Sequence, residues 1–256
     1  MLTSEQKDEV WLVISKGLDR AEAAWGKVGS QMIRASASME AQVLDEAFQS
    51  SNIPGHPEVG EIPEVSEFVA LVVDMRNSSK RLKTKFSGSK FEHGMQRVFF
   101  ETSALLPAVA KTVSFGDGVV TEYLGDGALA LFNVEVGKRL DRIRRVHALA
   151  ESCVGEVREM VNYQISERYK LNDPMSIGAG ISVGKAMVTL VGYSDNYQPR
   201  AIGECVWEAS KLSGEFNKVY LSESAKSAWP VVREGKIRFV GRQVRGVNGF
   251  ALMRDD

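Results

Sequence analysis

The sequence predicts an α+β sandwich, a mostly antiparallel sheet with helices packed on it. Three observations carry this. An apolar run, Phe68-Val69-Ala70-Leu71-Val72-Val73, ends in an acid, Asp74, as a buried strand delivering a carboxylate at its tip would. Two apolar segments flank a Gly125-Asp126-Gly127 turn, the pattern of a β-hairpin. The remaining order mixes helices with further hairpins, which favours this class over a doubly wound parallel sheet.

Element by element, Trp11, Ile14, Leu18, Ala21 and Trp25 recur at three- and four-residue steps, so the N-terminus reads as helical, with Ser4 a candidate cap. A second helical stretch is expected from Gln31 to Phe48. The breaker cluster from Ser50 to Pro57, followed by Pro63, reads as a linker. The expected organisation is therefore a helical arm over 1–50, a linker over 51–66 and a main domain over 67–256. In that domain the first strand covers Glu67 to Asp74, a polar loop Arg76 to Lys90, and a helix Phe91 to Lys111. The hairpin follows, then a long helical stretch from Gly137 to Lys170. Ser176 to Val183 reads as a strand with Lys185 to Val191 as its hairpin partner. Asn196 to Ile202 leads into a helix from Glu204 to Asn217, and short strands near Val219–Leu221, Ile237–Val240 and Phe250–Met253 finish the chain.

The 256 residues are 44% hydrophobic and 25% charged, an ordinary soluble composition. A net charge of −1 gives no overall field toward nucleic acid or an acidic membrane, so an anionic ligand must be held by local groups. Arg139, Arg142, Arg144 and Arg145 read as a solvated helix face. Cys153 and Cys205 show no metal or disulfide spacing and are expected to be free thiols. His56, His93 and His147 lack partners at ligand spacing and read as structural. With no signal peptide and no run near the ~20 apolar residues of a membrane span, the expected location is the cytoplasm.

Asp74 and Asp126 each stand where an apolar strand meets a turn. If the first strand lies beside the hairpin, the two carboxylates converge at one edge of the sheet. Hard divalent ions want such oxygen donors, and Mg²⁺ takes one or two protein carboxylates plus substrate phosphates. The plainer reading of Asp126 is a turn residue. Asp117, in a second Gly-Asp-Gly at Gly116–Gly118, reads as a turn only.

Together these motifs resemble the class III nucleotide cyclases. That family places one metal-binding Asp at the end of its first strand, in an Asp-Ile-x-Gly-Phe-like run, and a second in a Gly-Asp hairpin turn. Here these are Asp74-Met75-Arg76-Asn77-Ser78 and Glu122-Tyr123-Leu124-Gly125-Asp126. The helix-opening run Arg200-Ala201-Ile202-Gly203 through Lys211 keeps the family's spacing from Gly to the last basic residue. Ile177 to Gly184 matches its Gly-Ile-x-x-Gly strand, and Val244-Arg245-Gly246 its Val-Lys-Gly segment. The chain departs from the pattern at two positions. Trp207 stands where the family has its transition-state Asn, and Lys211 where it has Arg, keeping the charge but not the bidentate fork.

The resemblance implies a class III cyclase-like (ferredoxin-like) fold and a two-metal cyclisation of a nucleoside triphosphate. Asp74, Asp126 and the Met75 carbonyl would hold two Mn²⁺ or Mg²⁺ ions per site. Ser78, Ser79, Lys211 and Arg245 would meet phosphate; Glu122, Tyr123, Arg200 and Trp207 would form the base end. It also implies a homodimer in which both subunits build each site. Adenylate cyclases favour Lys and Asp where this chain has Glu122 and Arg200, and guanylate cyclases favour Glu at the first. The pair here, with the Asp-Met-Arg-x-Ser run, is similar to the pyrimidine cyclases of the Pycsar anti-phage systems. That likeness implies cyclic UMP, or alternatively cyclic CMP, sensed by a separate effector protein. A rival reading is a degenerate domain that binds a nucleotide and signals through shape, favoured by Trp207 and Lys211. Arg200 could instead face solvent or pair with an acid.

Overall fold

The computed structural model describes residues 1–35, 53–56, 59, 62–84, 89–193, 196–229 and 237–254. The expected Gln31–Phe48 helix lies outside these residues beyond Ala35, as do Ser50–Asn52 and Pro57 of the breaker cluster.

The chain runs α1 (Ser4–Ala35), β1 (Glu64–Met75), α2 (Ser78–Lys83), α3 (Gly94–Ser114), β2 (Val119–Tyr123) and β3 (Gly127–Asn133). Then come α4 (Arg139–Ser152), a π-helical turn (Cys153–Val157), α5 (Arg158–Tyr169), β4 (Ile177–Tyr193) and β5 (Asn196–Ile202). The chain closes with α6 (Glu204–Leu212), β6 (Val219–Leu221), α7 (Glu223–Ser227), β7 (Ile237–Val244) and β8 (Val247–Arg254). One sheet holds all eight strands in the order β2-β3-β1-β4-β6-β8-β7, with β5 added to β4. Every pairing is antiparallel except β4 with β6. This is the α+β sandwich expected from the sequence.

β1 is the centre of the sheet, paired with β3 on one side and β4 on the other. Its alternate residues feed two cores. Val69, Leu71, Val73 and Met75 join the large cluster under α1, α3, α4 and α5. Phe68, Ala70 and Val72 join a second cluster with Leu129, Leu131, Ala186, Val188, Ala201, Cys205 and Ala209. Coverage on both faces is why this antiparallel strand reads as a continuous apolar run rather than an alternating one.

α1 lays Val10, Ile14, Leu18 and Ala21 into the large cluster, on the periodicity that marks it as a helix. Trp25 packs on Phe99 and Phe100 of α3. Polar tethers hold it as well. Glu156 accepts from Leu2 N–H at 2.9 Å and meets Lys7 Nζ at 2.7 Å, while the Tyr169 hydroxyl donates to Glu22.

Two expectations need correction. Lys185–Val191 is not the partner of the preceding strand but its continuation, since β4 runs unbroken for 17 residues. Its hairpin partner is β5, the segment expected to be a lead-in, with Thr189 opposite Arg200. Gly184 does not break the strand because it faces Phe68 in regular register. The helix expected to reach Asn217 stops at Leu212, where Ser213 and Gly214 turn the chain. A smaller difference is that the polar loop after β1 contains the short helix α2.

Candidate active site

β1 delivers Asp74 to the end of the sheet opposite Gly127, the first residue of β3. The Met75 N–H donates to the Asp126 carbonyl at 3.1 Å, so the β2–β3 turn is fastened to the tip of β1. Gly125 at φ 77 lets that turn close, with Leu124 N–H donating to Gly127 O at 2.8 Å. A side chain at Gly127 would put its Cβ 2.9 Å from Asp74 Oδ1, so glycine keeps room for the carboxylate. Asp126 is close enough that its charge repels that of Asp74. The two acids thus stand at one edge of the sheet, Asp126 next in sequence to the residue opposite Asp74.

The electrostatics of Asp74 follow from its place. Burial pushes its carboxyl above the usual carboxylate range. The Arg76 guanidinium opposes this, Asp126 adds to it, and Arg245 opposes it again. Arg76, not among the residues singled out from the sequence, is itself nearly buried. Its Nη2 lies 3.0 Å from Asp74 Oδ2 and its Nη1 donates to the Ser213 carbonyl at 2.9 Å. It joins the acid to the C-terminal end of α6. The one sequence signal for it is a cation two positions past an acid at a strand tip.

α6 sits directly on the β4 backbone. A Cβ at Gly180 would fall 2.1 Å from Ala209 O, and one at Gly178 2.2 Å from Ser213 O. This close approach is the physical content of the Gly-rich strand. α6 carries Trp207, more than half exposed, and Lys211, whose Nζ lies 5.7 Å from the Trp207 ring centroid. Arg245 occupies the β7–β8 turn at φ 47, its side chain against Gly214.

Two of the residues expected at the base end, Arg200 and Glu122, meet as well. Arg200 Nη1 lies 2.7 Å from Glu122 Oε2, and its Nη2 donates to Gln198 Oε1 at 2.8 Å. Arg200 therefore pairs with an acid, and that acid is the other residue of its expected pair. A bulge between Val120 and Glu122 breaks the β2–β3 register just before Glu122, which re-aims its side chain. Tyr123 is half exposed beside it, its phenol pushed upward by partial burial. Gln198 is an addition to the expected set. It shares the strand face of Arg200 two residues on, a spacing visible only once β5 is known to be a strand.

Ser78 and Ser79 stand at the start of α2, after Asn77 at φ 61. The other sequence candidates lie elsewhere. Asp117, in the α3–β2 turn, faces Arg145 at 3.3 Å and Arg142 at 3.9 Å. Arg139 pairs with Glu67, so Arg139, Arg142 and Arg145 meet acids within the chain, while Arg144 lies over the Trp229 ring. His56 bridges Ser66 and Glu64, His93 precedes α3, and His147 packs on Trp229. Cys153 and Cys205 are free and buried. Among the described residues no cluster of three or more His, Cys, Asp and Glu side chains could hold a metal, and no helix is long and apolar enough to cross a membrane. Two hard carboxylates with an adjacent backbone carbonyl nevertheless fit an ion that takes its other ligands from a polyphosphate.

No protein-family model matches the sequence, and no curated protein matches it. Solved structures do match. The guanylyl cyclase Cya2 is 19% identical with a TM-score of 0.58, over 74% of this chain and 92% of that one. The adenylyl cyclase CyaB from P. aeruginosa is 14% identical with a TM-score of 0.60, over 76% and 96%. The guanylate cyclase domain of RhGC from Catenaria anguillulae, in complex with GTP, is 14% identical with a TM-score of 0.55, over 75% and 100%. The likeness is one of fold: this chain has the fold of the adenylyl and guanylyl cyclase catalytic domains.

Proposed function

We propose that this chain is a nucleotide cyclase that converts a pyrimidine nucleoside triphosphate, UTP before CTP, to its 3′,5′-cyclic monophosphate and pyrophosphate. The observation that carries the reading is the meeting of Asp74 and Asp126 at the end of β1, with Gly127 keeping the space beside the carboxylate clear. Asp74, Asp126 and the Met75 carbonyl would hold Mn²⁺ or Mg²⁺. When bound, such ions neutralise polyphosphate charge and favour ionisation of the attacking hydroxyl.

In the reaction O3′ bonds to the α-phosphorus, the bond from that phosphorus to the oxygen bridging it to the β-phosphate breaks, and the hydroxyl proton leaves to solvent. Little covalent work falls to the protein, so positioning and charge dominate. Arg245 and Lys211 supply cations, and Ser78 and Ser79 supply hydroxyl and backbone donors to phosphate. Arg200 and Glu122 present donors and an acceptor to the edge of the base, with Gln198 holding the Arg200 fork. With Trp207 and Tyr123 also at the base end, a long Arg would narrow the room toward a one-ring base.

The active unit is a head-to-tail homodimer, each site combining the acids of one protomer with Lys211 of the partner subunit. Apolar Met187, Val191 and Ile202 are exposed on one face of the β4–β5 hairpin, a surface that a second copy would cover. The role in anti-phage signalling, through an effector that senses the product, rests on the Asp74–Ser78 run and the Glu122–Arg200 pair. The second reading, a nucleotide binder without turnover, is favoured by Trp207 and Lys211 at the transition-state positions. Incubation with each of the four ribonucleoside triphosphates and Mn²⁺ separates the two. The cyclase reading expects a cyclic pyrimidine nucleotide; nucleotide binding without any cyclic product supports the rival.

A further inference from the structure

The turn that follows Asp74 leads into a helix too short to hold itself. α2 has six residues, and its N-cap, Asn77, makes no side-chain cap hydrogen bond. A single isolated turn and a half of helix is not stable in water, so α2 must be fixed by tertiary contacts. Its one buried residue is Arg81.

Arg81 reaches a carboxylate inside the protein. Its Nε and Nη2 donate to Glu101 Oε2 and Oε1 at 3.0 and 2.7 Å, a two-pronged fork. Glu101, on α3, has no exposed surface and also accepts from Arg97 Nε at 2.9 Å. Arg97, equally buried, meets Asp173 Oδ2 at 2.9 Å and donates to the Asp173 carbonyl at 2.9 Å. Arg81 Nη2 also donates to that carbonyl, at 2.9 Å. Two cations and two anions balance.

The same cluster grips the segment before β4. Asn162 holds Met175 through both its N–H and its carbonyl, and the Ser176 carbonyl accepts from the Arg76 N–H at 2.8 Å. The β1–α2 turn is thus held from two sides, through α2 and through the segment before β4, by one set of charges in which Arg81, Arg97 and Glu101 are buried and Asp173 is exposed. Apolar side chains would fill this space without the desolvation cost of buried ions. What they would not supply is a directional fork that fixes where α2 and its turn sit.

We infer that the buried Arg81, Arg97 and Glu101, closed by the exposed Asp173, form a brace that positions the turn following Asp74, with Arg81 the link to α2. They are positioning residues, touching neither substrate nor metal. Their effect on catalysis rests on the cyclase reading; their effect on the turn does not.

Arg81→Met cuts α2 from the brace and leaves the Arg97–Glu101–Asp173 contacts in place. In the full chain, amide exchange of residues 76–83 should accelerate on the order of tenfold or more, with core strands β1 and β4 unchanged. Binding of Mn²⁺ alone, followed by the paramagnetic resonance of the free ion, should weaken on the order of tenfold. Arg81→Lys, which keeps charge but not the fork, should fall between the two. Wild-type exchange at 76–83 together with wild-type Mn²⁺ affinity in a folded Arg81→Met chain overturns the inference. A lowered melting temperature with no change in either readout also overturns it, since that is a structural role only. Should Arg81→Met not fold, the same two readouts on Arg81→Lys decide the matter: faster exchange and weaker Mn²⁺ binding support the brace, and wild-type values of both overturn it. A wild-type chain that binds Mn²⁺ but cyclises no nucleotide sinks the cyclase reading and leaves the brace to stand or fall on exchange and metal affinity.

Discussion

Arg200 Nη1 lies 2.7 Å from Glu122 Oε2, joining a residue of β5 to one of β2. The two residues expected to choose the base therefore act as one charge pair. Each has hydrogen-bonding capacity beyond this contact, a second Glu122 oxygen and further guanidinium N–H groups.

Arg200→Ala leaves Glu122 without its cation and should relax base preference. The ratio of kcat/KM for UTP to that for a purine triphosphate should fall by roughly tenfold or more. An unchanged ratio removes Arg200 from the base pocket.

Asp74 makes a prediction about pH. Its folded-state carboxyl is raised, by burial above all, so ionising it costs the fold. That contribution favours folding below the ordinary aspartate range and is lost as pH rises through the raised value. Asp74→Asn removes the cost and keeps an oxygen for Arg76. With chelator present, its melting temperature should exceed that of the wild type near neutrality, and the two should converge in acid. Mn²⁺ should then raise the melting temperature of the wild type alone.

Gly180→Ala should lift α6 off β4, because its Cβ would fall 2.1 Å from the Ala209 carbonyl. A loss of about 1–3 kcal/mol of stability in denaturant titration is expected. Lys211 moves with the helix, so turnover should fall in the folded fraction as well.

The two thiols should be inert. Burial pushes Cys153 up to about 12 and Cys205 to about 11. For Cys205 that cuts the thiolate population roughly a hundredfold below that of an ordinary thiol. A thiol reagent at mildly alkaline pH should label neither in the native chain and both in denaturant.

Much of this is legible in the sequence because it is written in local pattern. The Phe68–Asp74 run and the Gly125–Gly127 turn mark two strands and bring two acids to one edge. The spacing from Gly203 to Lys211 places α6. What stays hidden depends on partners distant in sequence. Nothing local marks Arg81 and Glu101 as a buried pair, since one stands in a polar loop and the other among helix surface types. β4 reads as two strands because a glycine inside a strand looks like punctuation until its partner, Phe68, is known. The bulge before Glu122 needs the β3 register to be seen. Gln198 stays silent because β5 reads as a lead-in to a helix until its pairing with β4 is known.

The central claim is that Asp74 and Asp126 act together on one polyphosphate. It is tested most directly by the Mn²⁺-dependent yield of cyclic pyrimidine nucleotide from the wild type, Asp74→Ala and Asp126→Ala, each shown to be folded. The expected result is product from the wild type and a loss of about a thousandfold or more in both variants. Turnover that survives the removal of either acid contradicts it.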